Sequence, residues 1–245
     1  MIDKIRRAAA DALGDVPDGS SVAIGGFGQV GVPVDLIDEL CAKDVRGLHV
    51  IANNGGRGLD GERGIARLLI EKRVKRFSCS FPVNPDFFRR YFRGEVEIDL
   101  VPQGTLAERL RAGGSGLGGF YTPTGVGTLL ADGGFVVRHP GDGRPAEIGQ
   151  EKEQRRIDGR MYVFERPLRP DFALVKAHIA DRYGNLRFRL GARNFNPLAA
   201  MAARTTVVQA DHVRATGALD PDDVHLPGTF VDHVVATDET AGVPR

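Results

Sequence analysis

The 245-residue chain is poor in cysteine: Cys41 and Cys79 are the only two, and both lie in apolar stretches. Two separate buried thiols are therefore expected in place of a disulfide. Neither sign of charge prevails, since 33 basic against 32 acidic residues leave a formal net charge of +1. That balance gives no electrostatic footprint for a nucleic acid partner. No apolar run approaches the roughly 18 residues of a membrane span, so no membrane span is expected. The N-terminus lacks the apolar core of a signal peptide. Met1–Leu13 carries Asp3 and Asp11 and sets Ile2, Ile5, Ala9 and Leu13 at helical spacing. It reads as an amphipathic helix of a cytoplasmic protein. His49, His178 and His212 have no partners at metal-ligand spacing, so no metal is expected. No G-K-[ST] phosphate loop occurs, and Gly114-Ser115-Gly116-Leu117 fails the last glycine of a serine nucleophile elbow.

Glycine is abundant. There are 32, against an average near 7% of residues. With 42% hydrophobic and 27% charged residues, the chain can bury a sizeable core. Short apolar runs alternate with helical patterns. Strands are expected at Val22–Ile24, Leu48–Ala52, Val74–Phe81 and Val96–Val101. Helices are expected from Pro33, over Gly64–Glu71, Pro85–Phe92 and Thr105–Arg111. Such repeated β-α-β units predict an α/β fold with an open, mostly parallel sheet and helices on both faces. Further strands follow at Met161–Glu165, Phe172–Ala177, Leu186–Arg189 and Thr205–Gln209, with a helix at Pro197–Ala203. Seven glycines fall between Gly113 and Gly127, which predicts a loop packed closely against something. Residues 138–156 are polar and broken by Pro140 and Pro145, so they read as an exposed, mobile excursion. The whole reads as one domain over 1–237 with a tail at 238–245.

Gly26-Phe27-Gly28-Gln29-Val30-Gly31 satisfies G-x-G-x-x-G, between a strand and a helix. Glycines there let backbone N–H groups approach an anion, and a helix N-terminus favours negative charge. An NAD(P)-binding oxidoreductase is therefore the alternative reading. It requires an acid at the end of the second strand for the ribose hydroxyls. Asn53-Asn54 stands there instead.

A wider window carries more information. Asp18 to Pro33, DGSSVAIGGFGQVGVP, meets every fixed position of the signature of A subunits of family I CoA-transferases. Pro102-Gln103-Gly104-Thr105-Leu106-Ala107-Glu108-Arg109 resembles a second block of that family. So do Gly119–Gly125, Asp171–Ala177, Asp181–Asn185 and Ala192–Asn196. The chain is thus identified as resembling the succinyl-CoA:3-oxoacid and 3-oxoadipate CoA-transferase A subunits along nearly its whole length. The resemblance implies a Rossmann-like open sheet and ping-pong transfer through a glutamyl-CoA intermediate. The glutamate belongs to the family's B subunit, and its motif is absent from this chain. No nucleophile is therefore expected here, and no permanently bound cofactor; a CoA thioester is the substrate.

By the same resemblance, Asn53, Asn54 and Gln103 would orient substrate and stabilise oxyanions, as neutral donors do. Gly25, Gly26, Phe27, Gly28, Gln29, Val30 and Gly31 would line the CoA or acyl side. Asx-turn bonding competes for the Asn pair, an ordinary turn side chain for Gln103, and a core position for Phe27. Arg73, Lys75 and Arg76 read as a solvated face, with attraction of CoA phosphates as the other reading. The expected donor is succinyl-CoA. The acceptor stays open, because Cys79-Ser80-Phe81-Pro82 resembles the 3-oxoadipate type and the 138–156 excursion the 3-oxoacid type.

Overall fold

The computed structural model describes residues 2–14, 16–58, 63–141 and 143–237, so the expected tail at 238–245 lies outside the described residues. In chain order the first strands are β1 (Ile5–Arg6), β2 (Ser21–Ile24), β3 (Leu48–Ile51), β4 (Val74–Cys79) and β5 (Glu97–Leu100). They are followed by β6 (Phe120–Thr122), β7 (Val136–Arg138), β8 (Glu147–Ile148), β9 (Gln154–Ile157) and β10 (Arg160–Glu165). The last are β11 (Phe172–Asp181), β12 (Leu186–Arg187), β13 (Thr205–Arg214) and β14 (His233–Ala236). The helices are α1 (Ala9–Leu13), α2 (Val34–Ala42), α3 (Ile65–Ile70), α4 (Pro85–Phe92), α5 (Gln103–Gly114), α6 (Leu129–Asp132) and α7 (Asn196–Ala202).

A nine-stranded sheet runs in the order β1-β14-β13-β11-β2-β3-β4-β5, all parallel, with β12 antiparallel on β11. Its strands are apolar on both sides because both faces are covered. Val22, Ile24, Leu48 and Val50 point into one core, closed by α1 to α4 through Leu13, Leu36, Leu40, Leu68 and Phe87. Ala23, Ile51 and Val175 point into the other, closed by α5 and α7 through Leu106, Leu110, Ala199 and Ala200. The alternation of the strand and the stripe of the helix thus meet in two layers around one sheet. On the first face the fully buried ring of Phe77 lies edge-on to Phe87 at 5.5 Å, which ties β4 to α4. A small antiparallel sheet, β6-β10-β9, and the β7-β8 pair complete the fold.

Three expectations change. The N-terminal helix is confined to Ala9–Leu13, because Ile5–Arg6 pairs with Val234–Val235 as an edge strand. The glycine-rich run is not all loop. Helix α5 continues to Gly114, and Phe120–Thr122 is β6. The reason at the helix end is close packing: a Cβ at Gly113 would lie 1.9 Å from the Leu168 carbonyl oxygen. The 138–156 segment is exposed along most of its described residues, as expected, and it also carries pairings. β7 and β8 pair within and around it, buried Arg138 donates to the Pro145 carbonyl at 3.0 Å, and Lys152 donates to Glu165 at 2.6 Å. Finally β11 and β13 are ten residues each, longer than their apolar runs, because they pair along that length.

A half-buried polar chain runs across the sheet. His49 Nε2 lies 2.8 Å from Ser78 Oγ, which donates to Asp99 Oδ2 at 2.9 Å, and Arg109 Nη1 donates to the same oxygen at 3.3 Å. Because Ser78 gives its proton to Asp99, it accepts from His49, which fixes the neutral Nε2–H form. Burial, reinforced by the Arg76 guanidinium, pushes the His49 pKa down to about 4. A His held neutral in the fold takes up its proton more readily when unfolded. Stability from this group is present above about pH 6.5 and declines as pH falls from there towards 4. The loss should reach about 3 kcal/mol, at ~1.36 kcal/mol per pKa unit. Urea unfolding at pH 7 and pH 4.5 should show a steeper loss for the wild type than for His49→Gln. Parallel losses would contradict the assignment.

Candidate active site

A parallel sheet delivers the C-terminal ends of its strands to one edge. The loops leaving β2, β3, β4 and β5 open there side by side. Strand order runs from β2 to β5 in one direction and from β11 to β14 in the other, so the switch point lies between β2 and β11. Crevices at such points are where open α/β sheets hold ligands.

The glycine turn sits at this crevice. Gly25 N–H donates to the Leu174 carbonyl of β11 at 2.9 Å. Buried Gly25 and Gly26 then lead into a tight hairpin, in which Phe27 and Val30 exchange two backbone hydrogen bonds of 3.0 Å. Gly28 takes the first corner at φ 60°, which a residue with a Cβ adopts only with strain. Phe27 is 48% exposed and Val30 53%, so Phe27 stands on the rim of the site and not in the core.

The loop after β3 lies two strands from β11, across β2. The Asn53 carbonyl accepts from Ser80 and Phe81 N–H at 3.1 Å each, which carries the β3–β4 pairing past the strands. Gln103, the first residue of α5, donates from Nε2 to Asn53 Oδ1 at 2.6 Å. Two expected site residues are therefore brought into contact. With its oxygen engaged by Gln103, Asn53 keeps its amide N–H group as a donor. Asn54 behaves differently: its Oδ1 accepts from Gly56 N–H at 3.0 Å, the Asx turn of its own loop. Asn84 fastens this loop from behind, donating to the Gly55 carbonyl at 3.1 Å while capping α4.

None of the described segments brought to the site edge, 25–31, 53–56, 80–83, 102–104 and 192–196, contains Asp or Glu, and Arg193 is their one charged residue; Asp60 and Glu62, further along the loop after β3, lie outside the described residues. The dinucleotide reading fails at α2. The helix starts at Val34, beyond the hairpin, and Asp35 fills its first turn. Asp35 N–H donates to Gln209 at 3.0 Å, Gln209 returns a bond of 2.8 Å, and Arg63 pairs with the carboxylate at 2.6 Å. The anion favoured by the helix dipole is already built in. The basic cluster is elsewhere as well. Arg73 pairs with Glu71 and Asp44, and Arg76 with Glu97 at 3.9 Å, at the start of β4 and so at the opposite edge.

Sequence reasoning missed two residues here. Asn196 is fully buried and Asn194 lies beside it. Asn196 Nδ2 donates to the Gly31 carbonyl at 3.0 Å and Asn194 Nδ2 to the Val30 carbonyl at 3.0 Å. The Asn-Phe-Asn spacing after a glycine turn was visible, but nothing local says which distant backbone it would meet.

The coenzyme A transferase family model matches residues 6–237. This chain belongs to the coenzyme A transferase family. Among its relatives is the A subunit of the 3-oxoadipate CoA-transferase of Pseudomonas putida, 47% identical over 98% of this chain and 96% of that one. Another is the A subunit of the succinyl-CoA:3-ketoacid coenzyme A transferase of Xanthomonas campestris, 46% identical over 93% of this chain and 86% of that one. An acyl-CoA transferase of Escherichia coli O157:H7, solved as a thioester complex with CoA, has a TM-score of 0.79 at 24% identity. The match covers 96% of this chain and 47% of that one, so the chain spans about half its length, and the likeness is one of fold. The large parallel sheet flanked by helices is that of the CoA-transferases. Among the described residues no helix is long and apolar enough to cross a membrane.

Packing around the first glycine of the transferase turn yields a direct test. A Cβ at Gly25 would fall 1.9 Å from Asn196 Oδ1 and 2.5 Å from its Cγ. Gly25→Ala should destabilise the chain by about 1–3 kcal/mol, read as a lower urea midpoint. An unchanged midpoint would mean that this contact is not close-packed.

Proposed function

We propose that this chain is the A subunit of a two-subunit CoA-transferase that moves CoA from succinyl-CoA to a 3-oxo acid. The kinship with chains named as A subunits of such enzymes supports the reaction class. One observation carries the division of labour: among the described residues, the segments that gather the glycine turn, Asn53 and Gln103 at one edge have amide donors and no carboxylate. The nucleophile then comes from a partner B subunit.

The family resemblance supplies the reaction scheme. A partner carboxylate attacks the succinyl-CoA thioester carbon, whose oxygen becomes an oxyanion. Collapse expels the CoA thiolate and leaves an acyl-carboxyl anhydride. The thiolate attacks the partner's carbonyl of that anhydride, releasing succinate and leaving a glutamyl-CoA thioester. The 3-oxo acid carboxylate reverses these steps, so water is never the acceptor and the kinetics are ping-pong. In this scheme Asn53 donates to the oxyanion, Gln103 holds Asn53 in place, and the turn Gly25–Gly31 walls the acyl-CoA side. Neutral donors suit the task, because they stabilise negative charge without protonating the attacking carboxylate. Asn54 keeps the Asn53 loop in shape through its Asx turn. Acetoacetate-type and 3-oxoadipate-type acids both fit this reading.

The purified chain should show no transfer from succinyl-CoA to acetoacetate or 3-oxoadipate, and adding its B partner should restore it. Full transfer by the chain alone would end the proposal. In the assembled enzyme, Asn53→Ala should lower kcat about 10²–10³-fold, the worth of one oxyanion donor. A kcat within a factor of two of wild type would remove Asn53 from the mechanism.

A further inference from the structure

The glycine turn is not rigid by its own bonds. Inside it, the bonds between Phe27 and Val30 close only the hairpin tip. Its position over the sheet edge depends on what holds its two ends: Gly25 N–H is bonded to the Leu174 carbonyl, and one side chain reaches both ends. Asn196 lies in the gap where β2 and β11 part, with none of its surface exposed. Its Oδ1 accepts from Lys176 N–H of β11 at 2.8 Å, where a neighbouring strand would otherwise bond. Its Nδ2 donates to the Gly31 carbonyl at 3.0 Å and to the Ala192 carbonyl at 2.9 Å. Gly25, at the other end of the turn, is packed on the same amide so tightly that no Cβ fits. One buried amide therefore fixes the entry to the turn by contact and its exit by a hydrogen bond. Asn194 adds an outer strut, donating from Nδ2 to the Val30 carbonyl at 3.0 Å and to the Gly191 carbonyl at 2.7 Å.

We infer that Asn196, assisted by Asn194, is the positioning residue of the transfer reaction, setting the height of the Gly25–Gly31 turn over the oxyanion donor Asn53. Neither Asn touches the reacting atoms in this scheme; both act through the turn. The inference rests on the CoA-transferase reading above. Only an amide serves at 196: its oxygen must accept from Lys176 while its nitrogen donates twice. Asp keeps the shape and the acceptor but loses both donors, and turns an oxygen towards two carbonyl oxygens.

The test is steady-state kinetics of the complex with its B partner, for wild type, Asn196→Asp and Asn194→Ala, alongside unfolding midpoints and assembly by size-exclusion chromatography. Displacing a positioned wall by a fraction of an ångström should cost kcat on the order of 10–100-fold for Asn196→Asp, with KM for succinyl-CoA within about threefold. Asn194 is partly exposed, so Asn194→Ala should fold and assemble normally, yet lose kcat about three- to tenfold. A purely structural role would lower the midpoint or the yield of complex and leave kcat per assembled enzyme unchanged. That outcome overturns the inference, as does a raised KM with unaltered kcat. Should Asn196→Asp fail to assemble, Asn194→Ala decides alone by the same criteria. A wild-type complex without any transfer would instead defeat the transferase reading itself.

Discussion

Beyond the hydrogen bond from Gly25 to the Leu174 carbonyl, β2 and β11 share no further ladder, and the next N–H of β11, that of Lys176, goes to the side chain of Asn196. This parting of two adjacent parallel strands is the constraint from which the site follows. Strands laid outward in both directions must leave a gap at the switch point. Here the gap is filled at its floor by a buried amide, and the hairpin and the loops after β3 and β5 leave the sheet at the same edge. Glycine at position 25 is the consequence and not the cause: an amide that close leaves no room for a side chain.

The chemistry of that opening is set by what surrounds it. Asn53 and Gln103 hold each other across 2.6 Å, and neither titrates, so their donor capacity does not change with pH. Asp35 is locked to Gln209 and Arg63 at the start of α2. The ionised side chains Asp99 and Arg109 are half-buried on the β4 and β5 side and pair with each other. Burial opposes the charge on Asp99, but the nearby Arg109 guanidinium and the Ser78 hydroxyl outweigh it and hold its pKa below the usual carboxylate range. In the proposed scheme, a half-site whose described segments hold no carboxylate is the complement of a partner carboxylate that supplies the charge.

Much of this was legible in the residues. Period and length placed β2 to β5 and α2 to α4 within a few positions, because each carries an apolar pattern that one local geometry satisfies. The Pro85 that opens α4 stands at the boundary expected for it, while the cap by Asn84 emerges only in the fold. The misreadings share a cause. Ile5–Arg6 looks helical until a distant strand, His233–Ala236, is there to pair with it. Gly113 and Gly114 look like loop until the chain at Leu168 and Met201 is packed against them. At the site, the glycine turn and Asn53 could be singled out by position, and the Asx turn of Asn54 was one of two open readings. Asn196 could not be assigned a part, since its partners Lys176, Gly31 and Ala192 come from three segments that only the fold brings together.

The central claim is that this chain supplies the electrostatic half of a transferase site and the partner supplies the nucleophile. The most direct test is intact-mass analysis of both subunits once the assembled enzyme has been incubated with succinyl-CoA and no acceptor. The account predicts a CoA adduct on the B subunit, discharged by adding the 3-oxo acid, with the mass of this chain unchanged. A CoA or succinyl adduct on this chain that the acceptor discharges would contradict it.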